Sequence, residues 1–183
     1  EEGGFYSNKM AIIGAGPAGM SAAYYLRIKG YPVTVFEKEE KPGGMLRYGI
    51  PSFRLEKDVI DAEIEVLKAM GIEFRCGVEI GKDITIDGLR EEGYEAIYLA
   101  IGAQGGKKLN IPGMNEEYVM TGVDFLREVN KEESKDMLSG HVVVIGGGNV
   151  AMDVARSALR SGAASVDLFC LESEKDMPAS PDE

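Results

Sequence analysis

Two glycine-rich hexapeptides carry the spacing on which the chemistry of this chain turns: Gly14-Ala-Gly16-Pro17-Ala18-Gly19 and Gly146-Gly147-Gly148-Asn149-Val150-Ala151. Each follows a short apolar, β-branched run, Met10-Ala-Ile-Ile13 or His141-Val-Val-Val-Ile145, and each opens a helical pattern. Between a strand and a helix, the first glycine permits a tight turn and the second lets the backbone approach a pyrophosphate. The third lets the helix pack closely on the strand, while the helix N-terminus turns unpaired N–H groups and a positive dipole end toward the phosphates. A glycine pattern alone is weak. Here Glu37 stands directly after the second strand, Val33-Thr-Val-Phe36, and 23 residues beyond Gly14. A carboxylate there accepts hydrogen bonds from adenosine ribose hydroxyls and repels a 2′-phosphate. Strand, loop, helix, strand and acid in this order predict a dinucleotide site in the N-terminal third.

The elements that must hold these loops recur. Helices are expected over Met20 to Lys29 and Met152 to Arg160, stopping at Gly30 and Gly162 as C-terminal glycine caps do. Strands follow, Val33 to Phe36 and Ser165 to Cys170. One strand–glycine loop–helix–strand unit is thus used twice, about 132 residues apart, which implies two nucleotide-binding domains rather than a short tandem repeat. Between them an amphipathic helix, roughly Glu56 to Met70, places Val59, Ile60, Ile64, Leu67 and Met70 on one stripe. Further strands are expected near Glu73–Cys76 and Ala96–Ile101. Lys107 to Gly140 reads as a connection, with a turn at Ile111-Pro-Gly113 and a short helix from Gly122 to Val129 carrying Val123, Phe125, Leu126 and Val129. The resulting division is residues 1–108, a connection 109–139, and the start of a second domain over 140–183.

Composition narrows the class. The chain has 183 residues, 44% of them hydrophobic, enough to bury a substantial core. It has no apolar run of the length a transmembrane helix needs, and Glu1-Glu2-Gly3-Gly4 lacks the features of a signal peptide. With no initiator methionine and a polar end, Pro178 to Glu183, it reads as a piece of something longer. A net charge of −11 argues against nucleic acid, which needs a basic face. Cys76 and Cys170 are too few for a zinc site or an iron–sulfur cluster, and no Cys-x-x-Cys exists for disulfide exchange. Both are expected as small buried apolar residues in a reducing cytoplasm. His141 begins a strand and is expected at a strand edge rather than in catalysis. No Ser/His/Asp or paired-carboxylate arrangement emerges.

Further motifs carry a resemblance. Glu37-Lys38 followed by Gly43-Gly44-Met45-Leu46-Arg-Tyr-Gly49-Ile50-Pro51-x-Phe53-Arg54-Leu55 is similar to the small (β) subunit of glutamate synthase and its relatives. These include the FAD/NAD(P)H portion of dihydropyrimidine dehydrogenase and the flavoprotein subunits of electron-bifurcating transhydrogenases. Leu99-Ala100-Ile-Gly102-Ala, Ile111-Pro-Gly113, Asp124-Phe-Leu126 and Val144 through Asp153 match in the same order, so the resemblance spans nearly the whole chain. It implies an α/β fold: a Rossmann-like FAD-binding domain followed by the beginning of a Rossmann-like NAD(P)-binding domain. By resemblance Gly14, Gly16, Pro17, Ala18 and Gly19 hold the FAD pyrophosphate, and Glu37 and Lys38 the adenosine half. Gly43, Gly44 and Leu46 lie along the flavin, Arg54 contacts cofactor phosphates, and Val78 falls where backbone reads the adenine. Ala100 and Gly102 end the strand passing the cofactor. The family usually has Ala-Thr-Gly there, so a contact through a threonine hydroxyl is missing.

By the same resemblance Gly146, Gly147, Gly148, Asn149 and Val150 take the pyrophosphate of NAD(P)H. Asp153 also matches the family, although a carboxylate near the positive end of a helix needs no ligand to explain it. NADPH-using relatives place two basic residues after the following strand, where this chain has Leu171-Glu172. That carboxylate favours NADH over NADPH, with Lys175 near enough in sequence to moderate the preference. Met177-Pro178-Ala179 is a further match. The implied reaction passes hydride from nicotinamide to flavin and then electrons to an iron–sulfur domain or subunit, with the cofactors carrying the chemistry. Two other readings stay open at this level: a non-catalytic FAD-binding fragment and a redox-sensing module. A disulfide reductase would need the cysteine pair that this chain lacks.

Overall fold

The computed structural model describes residues 5–106, 110–114, 116–132, 137–180 and 182. Glu1 to Gly4 and the expected boundary at 108/109 lie outside them. The chain divides into two compact units, Glu1–Arg47 with Leu55–Ala103, and Tyr48–Arg54 with Gln104–Glu183.

The first unit is a four-stranded parallel sheet in the order β3-β2-β1-β4. Its strands are β1 (Lys9–Ile13), β2 (Val33–Glu37), β3 (Glu73–Cys76) and β4 (Tyr94–Leu99). Parallel strands are covered on both faces and so read as continuous apolar runs rather than alternations. All five residues of β2 are buried accordingly, and register pairs Ile12 with Val35 at the centre. On one face, Ile12, Val33, Val35, Ala15, Ala23, Leu67 and Ile72 form a core beneath helices α1 (Pro17–Ile28) and α3 (Lys57–Ala69). Proline suits the first turn of α1, where its missing N–H removes no hydrogen bond. Gly30, at φ +94°, ends α1 where the sequence placed a cap.

Helix α3 buries Ile60, Ile64 and Leu67, the i, i+4, i+7 stripe. Val59, expected on that stripe, is 50% exposed because one residue is about 100° of helix and Ile60 takes the inward position. Two short helices escaped the sequence reading: α2 (Met45–Tyr48) and α4 (Ile86–Glu91), too brief to show a period. Thr85 caps α4, its Oγ1 accepting the Gly88 N–H at 3.0 Å. Leu89 packs into a second cluster with Ala11, Ile13, Phe36 and Tyr94. The Tyr94 and Phe36 rings meet edge to face, 5.5 Å between centroids. This anchor starts β4 two residues earlier than expected, and the strand ends at Leu99, so Gly102 lies three residues beyond it rather than at its end.

In the second unit β5 (His141–Ile145) and β6 (Ser165–Phe169) form a parallel pair, Val144 opposite Leu168. Helices α5 (Gly122–Glu132) and α6 (Asn149–Arg160) bury Phe125, Leu126, Val154 and Ala158 with Val144 and Ala163. A 3-10 turn spans Glu174–Asp176. No helix among the described residues is long and apolar enough to cross a membrane. Cys76 and Cys170 are free and half-buried, less enclosed than expected.

Ile12 has no exposure, so Ile12→Ala is expected to cost about 2–5 kcal/mol through lost burial and an unfilled cavity. Val59→Ala is expected to stay within about 0.5 kcal/mol. Urea unfolding followed by circular dichroism measures both.

Candidate functional site

The two glycine loops are built to one plan. Gly14 N–H donates to the Phe36 carbonyl at 2.7 Å, and Gly146 N–H to the Phe169 carbonyl at 2.8 Å, so each loop is pinned to the strand after its helix. Gly43 N–H donates to the Ala15 carbonyl at 2.8 Å, and Ala179 N–H to the Gly147 carbonyl at 3.0 Å. A downstream segment is thereby drawn onto each loop: Pro42 to Gly44 onto the first, Pro178 to Ser180 onto the second. The matching anchors, 29 and 33 residues after Gly14 and Gly146, follow from these bonds and were not read from sequence.

Space at the first loop excludes side chains at Gly14 and Gly19. A Cβ on Gly19 would stand 1.9 Å from the Gly14 oxygen, and one on Gly14 2.4 Å from the Ala100 oxygen. A Cβ on Gly44 would stand 2.7 Å from Gly16 Cα. Ala100, Gly16 and Gly44 therefore converge on the loop, whereas nothing lies within 4 Å of a Cβ on Gly102. Pro17, Ala18 and Lys38 are solvent-facing. Helix α1 is capped by Gly16 and α6 by Gly148, neither with a side-chain cap bond nor an acid in its first turn. By contrast α3, α4 and α5 each carry a first-turn aspartate, Asp58, Asp87 and Asp124. Neither helix thus carries an acid in its own first turn to offset its positive end, which fits a pyrophosphate at each.

Glu37 is the last residue of β2 and only 7% exposed. Its Oε2 accepts the Ala15 N–H at 2.8 Å and its Oε1 the Glu39 N–H at 3.0 Å. A carboxylate has about four lone-pair sites, so these bonds aim the group at the loop and leave capacity for ribose hydroxyls. Val78 N–H donates to the Glu37 carbonyl at 2.9 Å, placing Val78 at the same strand ends. Cys76 pairs with Glu37 in register. Burial, and then the Glu37 charge, pushes the Cys76 thiol above its ordinary value, which keeps it protonated and unreactive.

Behind the Gly43-Gly44 turn sits a cation that the sequence reading passed over. Arg47 is buried; its Nε donates to the Pro42 carbonyl at 2.6 Å and its guanidinium pairs with Asp61. Leu46 stands beside it, its carbonyl accepting Lys57 Nζ at 3.2 Å. Burial and the nearby Arg47 charge lower Lys57 to about 8. A charged side chain in an otherwise apolar Met-Leu-Arg-Tyr stretch was the available signal.

At the second loop the register departs from expectation. The carbonyl that receives the first glycine is Phe36 in one loop and Phe169 in the other, so Cys170 occupies the place of Glu37. Glu172 stands two residues further on, exposed, its carbonyl accepting the Cys170 thiol at 3.3 Å. Gly147 packs on Cys170, 2.9 Å from an added Cβ to the cysteine Cβ, while nothing lies within 4 Å of a Cβ on Gly148. Asn149 fastens Ser180 of the segment drawn onto the loop: its Oδ1 accepts the Ser180 N–H at 2.8 Å and its Nδ2 donates to Ser180 Oγ at 3.1 Å. Val150 is exposed. His141 pairs with Asp167 at 3.0 Å on the strand edge. Arg54 does not stand with the first loop's unit; it pairs with Asp153, on α6. Among the described residues no group of three metal-ligating side chains forms.

Residues 8–174 match the family model described as pyridine nucleotide-disulphide oxidoreductase. The NADP(+)-dependent formate dehydrogenase subunit beta of Moorella thermoacetica is 46% identical over 173 residues, covering 93% of this chain and 24% of that protein. The NAD-dependent dihydropyrimidine dehydrogenase subunit PreT of Escherichia coli O157:H7 is 41% identical, covering 96% of this chain and 42% of its own length. The glutamate synthase [NADPH] small chain of Azospirillum brasilense is 36% identical, with coverages of 93% and 38%. The chain therefore spans less than half the length of each of these relatives. Among solved structures, FprA of Mycobacterium tuberculosis in complex with NADPH superposes with a TM-score of 0.78 at 26% identity, covering 96% of this chain and 46% of FprA.

Gly19→Ala places its methyl against the Gly14 carbonyl and is expected to weaken FAD binding about 100-fold, roughly 2.7 kcal/mol, read by flavin fluorescence. Lys57 titrates near 8 in the folded chain, below the 10.5 of the unfolded one. The cost of protonating it is therefore full below pH 8 and relieved between pH 8 and 10.5, where the unfolded state binds the extra proton. Lys57→Met is expected to be the more stable protein at pH 7, with an advantage that shrinks over that window in urea unfolding.

Proposed function

The chain belongs to the pyridine nucleotide-disulphide oxidoreductase family, and from that premise we propose that its first glycine loop holds FAD, its second holds NAD(P)H, and it passes hydride from nicotinamide to flavin. The observation that carries this reading is the pair of equivalent loops, each opening a helix whose N-terminus has no acidic first-turn neighbour. The flavin supplies the redox chemistry when bound; the residues of the chain bind and orient. Gly14, Gly16, Pro17, Ala18 and Gly19 present the backbone of the α1 N-terminus to the FAD pyrophosphate. Glu37, aimed by Ala15 and Glu39, accepts the adenosine ribose hydroxyls, with Lys38 alongside and the Val78 backbone at the adenine. Gly43, Gly44, Leu46, Ala100 and Gly102 line the flavin side. Arg47 and Lys57 support the Gly43-Gly44 turn and Leu46 from behind.

Gly146, Gly147, Gly148, Asn149 and Val150 form the nicotinamide nucleotide loop, with Asn149 also holding Ser180 beside it. NADH is the preferred donor. Cys170-Leu171-Glu172 offers no cation to a 2′-phosphate, and Glu172 would repel one. The names of the relatives point both ways, one NAD-dependent and others NADP(H)-linked. Electrons then leave for an iron–sulfur domain or subunit, since the two cysteines of the chain cannot ligate a four-cysteine cluster, and relatives carry names such as subunit beta and small chain. Two free thiols fit a reducing cytoplasm.

Anaerobic reconstitution with FAD, followed by addition of NADH or NADPH, is expected to bleach the flavin with both and faster with NADH. Glu172→Arg is expected to move the preference toward NADPH by about tenfold. Faster bleaching by NADPH in the parent chain would overturn the nucleotide preference. Flavin bound but not bleached by either nucleotide would favour a non-catalytic or redox-sensing module instead.

A further inference from the structure

Seven residues from the last residue of α2 toward α3, Tyr48–Arg54, group with the second unit although both flanks belong to the first. They are held at both ends. Asn130 Nδ2, on α5, donates to the Tyr48 carbonyl at 3.2 Å and to the Leu126 carbonyl at 2.8 Å. Lys131 Nζ lies 5.9 Å from the centroid of the buried Tyr48 ring. At the other end the Arg160 guanidinium stands 4.2 Å from the Phe53 ring centroid. Arg54 Nε donates to Asp153 Oδ1, an ion pair whose side chains are 29% and 13% exposed and whose partners lie 99 residues apart in sequence.

Asp153 is four residues beyond Asn149, in the second turn of the helix that the Gly146–Gly148 loop opens. A carboxylate buried there is unfavourable in two ways. Unpaired, it loses its hydration without recompense. Charged, it stands on the helix whose positive N-terminus is to attract a pyrophosphate, and it offsets that attraction. The Arg54 guanidinium removes both difficulties at once, because its planar N–H groups bond the carboxylate and its charge cancels it.

We infer that Arg54 is a positioning residue of the nicotinamide nucleotide site: by pairing with Asp153 it neutralises the carboxylate of α6 and fastens Tyr48–Arg54 onto α5 and α6. The inference rests on reading Gly146–Gly148 as the NAD(P)H loop. Affinity for the nucleotide then depends on the pair, while the flavin does not.

The test uses the flavin-loaded protein, with NAD+ affinity from calorimetry, the limiting rate of anaerobic flavin reduction by NADH from stopped flow, and FAD affinity from fluorescence. Arg54→Gln is expected to weaken NAD+ binding about tenfold or more, with limiting rate and FAD affinity within about threefold of the parent. Arg54→Gln/Asp153→Asn, neutral on both sides, is expected to return NAD+ affinity to within about threefold, since the effects of paired groups do not add. Arg54→Lys, which keeps charge without the planar fork, is expected to fall between parent and Arg54→Gln. Unchanged NAD+ affinity in Arg54→Gln, a loss confined to FAD, or a double variant as weak as the single one would overturn the inference. If Arg54→Gln fails to fold, the double variant decides: parent-like NAD+ affinity supports the pair's role and a tenfold loss ends it. Gly148→Val separates the underlying reading. Its side chain has room in the chain itself, so NAD+ binding that survives it shows that the nucleotide sits elsewhere. NAD+ binding lost in Gly148→Val but intact in Arg54→Gln defeats only the assignment of Arg54.

Discussion

One hydrogen bond, made twice, sets the geometry on which the rest depends. The N–H of the first glycine in each loop reaches the carbonyl of a phenylalanine at the end of the next strand, at 2.7 Å for Gly14 to Phe36 and 2.8 Å for Gly146 to Phe169. It brings the loop, the helix N-terminus and the strand end to one place. Only then can N–H groups that the helix cannot satisfy internally point at a ligand, and only then can a residue just past the strand reach the same ligand. The glycines are the condition for this bond, because a methyl at Gly14 would strike the Ala100 carbonyl and one at Gly19 the Gly14 carbonyl.

Around that bond the two units diverge. In the first, the position after the phenylalanine is Glu37, held by two backbone N–H groups and buried. In the second it is Cys170, packed on Gly147, and the nearest acid is displaced to Glu172 on the surface. In the proposed reading the first meets a free ribose hydroxyl with a fixed, buried carboxylate. In the proposed reading the second discriminates against a 2′-phosphate through the charge of an exposed side chain, Glu172, which water and salt screen. Discrimination between the two nicotinamide nucleotides should accordingly be weaker here than a buried acid would give.

Charge balance elsewhere follows the same rule, that a buried ion needs its partner. Arg47 and Asp61 steady the turn that lies on the first loop, and Arg54 and Asp153 join a short segment to the helix of the second. None of these groups is arranged for proton transfer. In the proposed hydride exchange the protein positions and the cofactors react.

The glycine spacing, the strand–loop–helix order, Glu37, the apolar runs of a doubly covered parallel sheet and the Ile60-Ile64-Leu67 stripe were all legible in the sequence. Each is a local pattern, fixed by backbone sterics or by the period of one element. Gly30 ending α1 is of the same kind. The partners of Arg54 and Asn149, the return of Gly43 and Ala179 onto the loops, the burial of Arg47 and the place of Cys170 were decided by tertiary structure. These contacts join residues 5 to 99 positions apart, and no local periodicity encodes which distant group a side chain will meet. Even the start of β4 belonged to this class: Tyr94 begins the strand because its ring finds Phe36 across the sheet, and a propensity reading along the chain cannot see that neighbour.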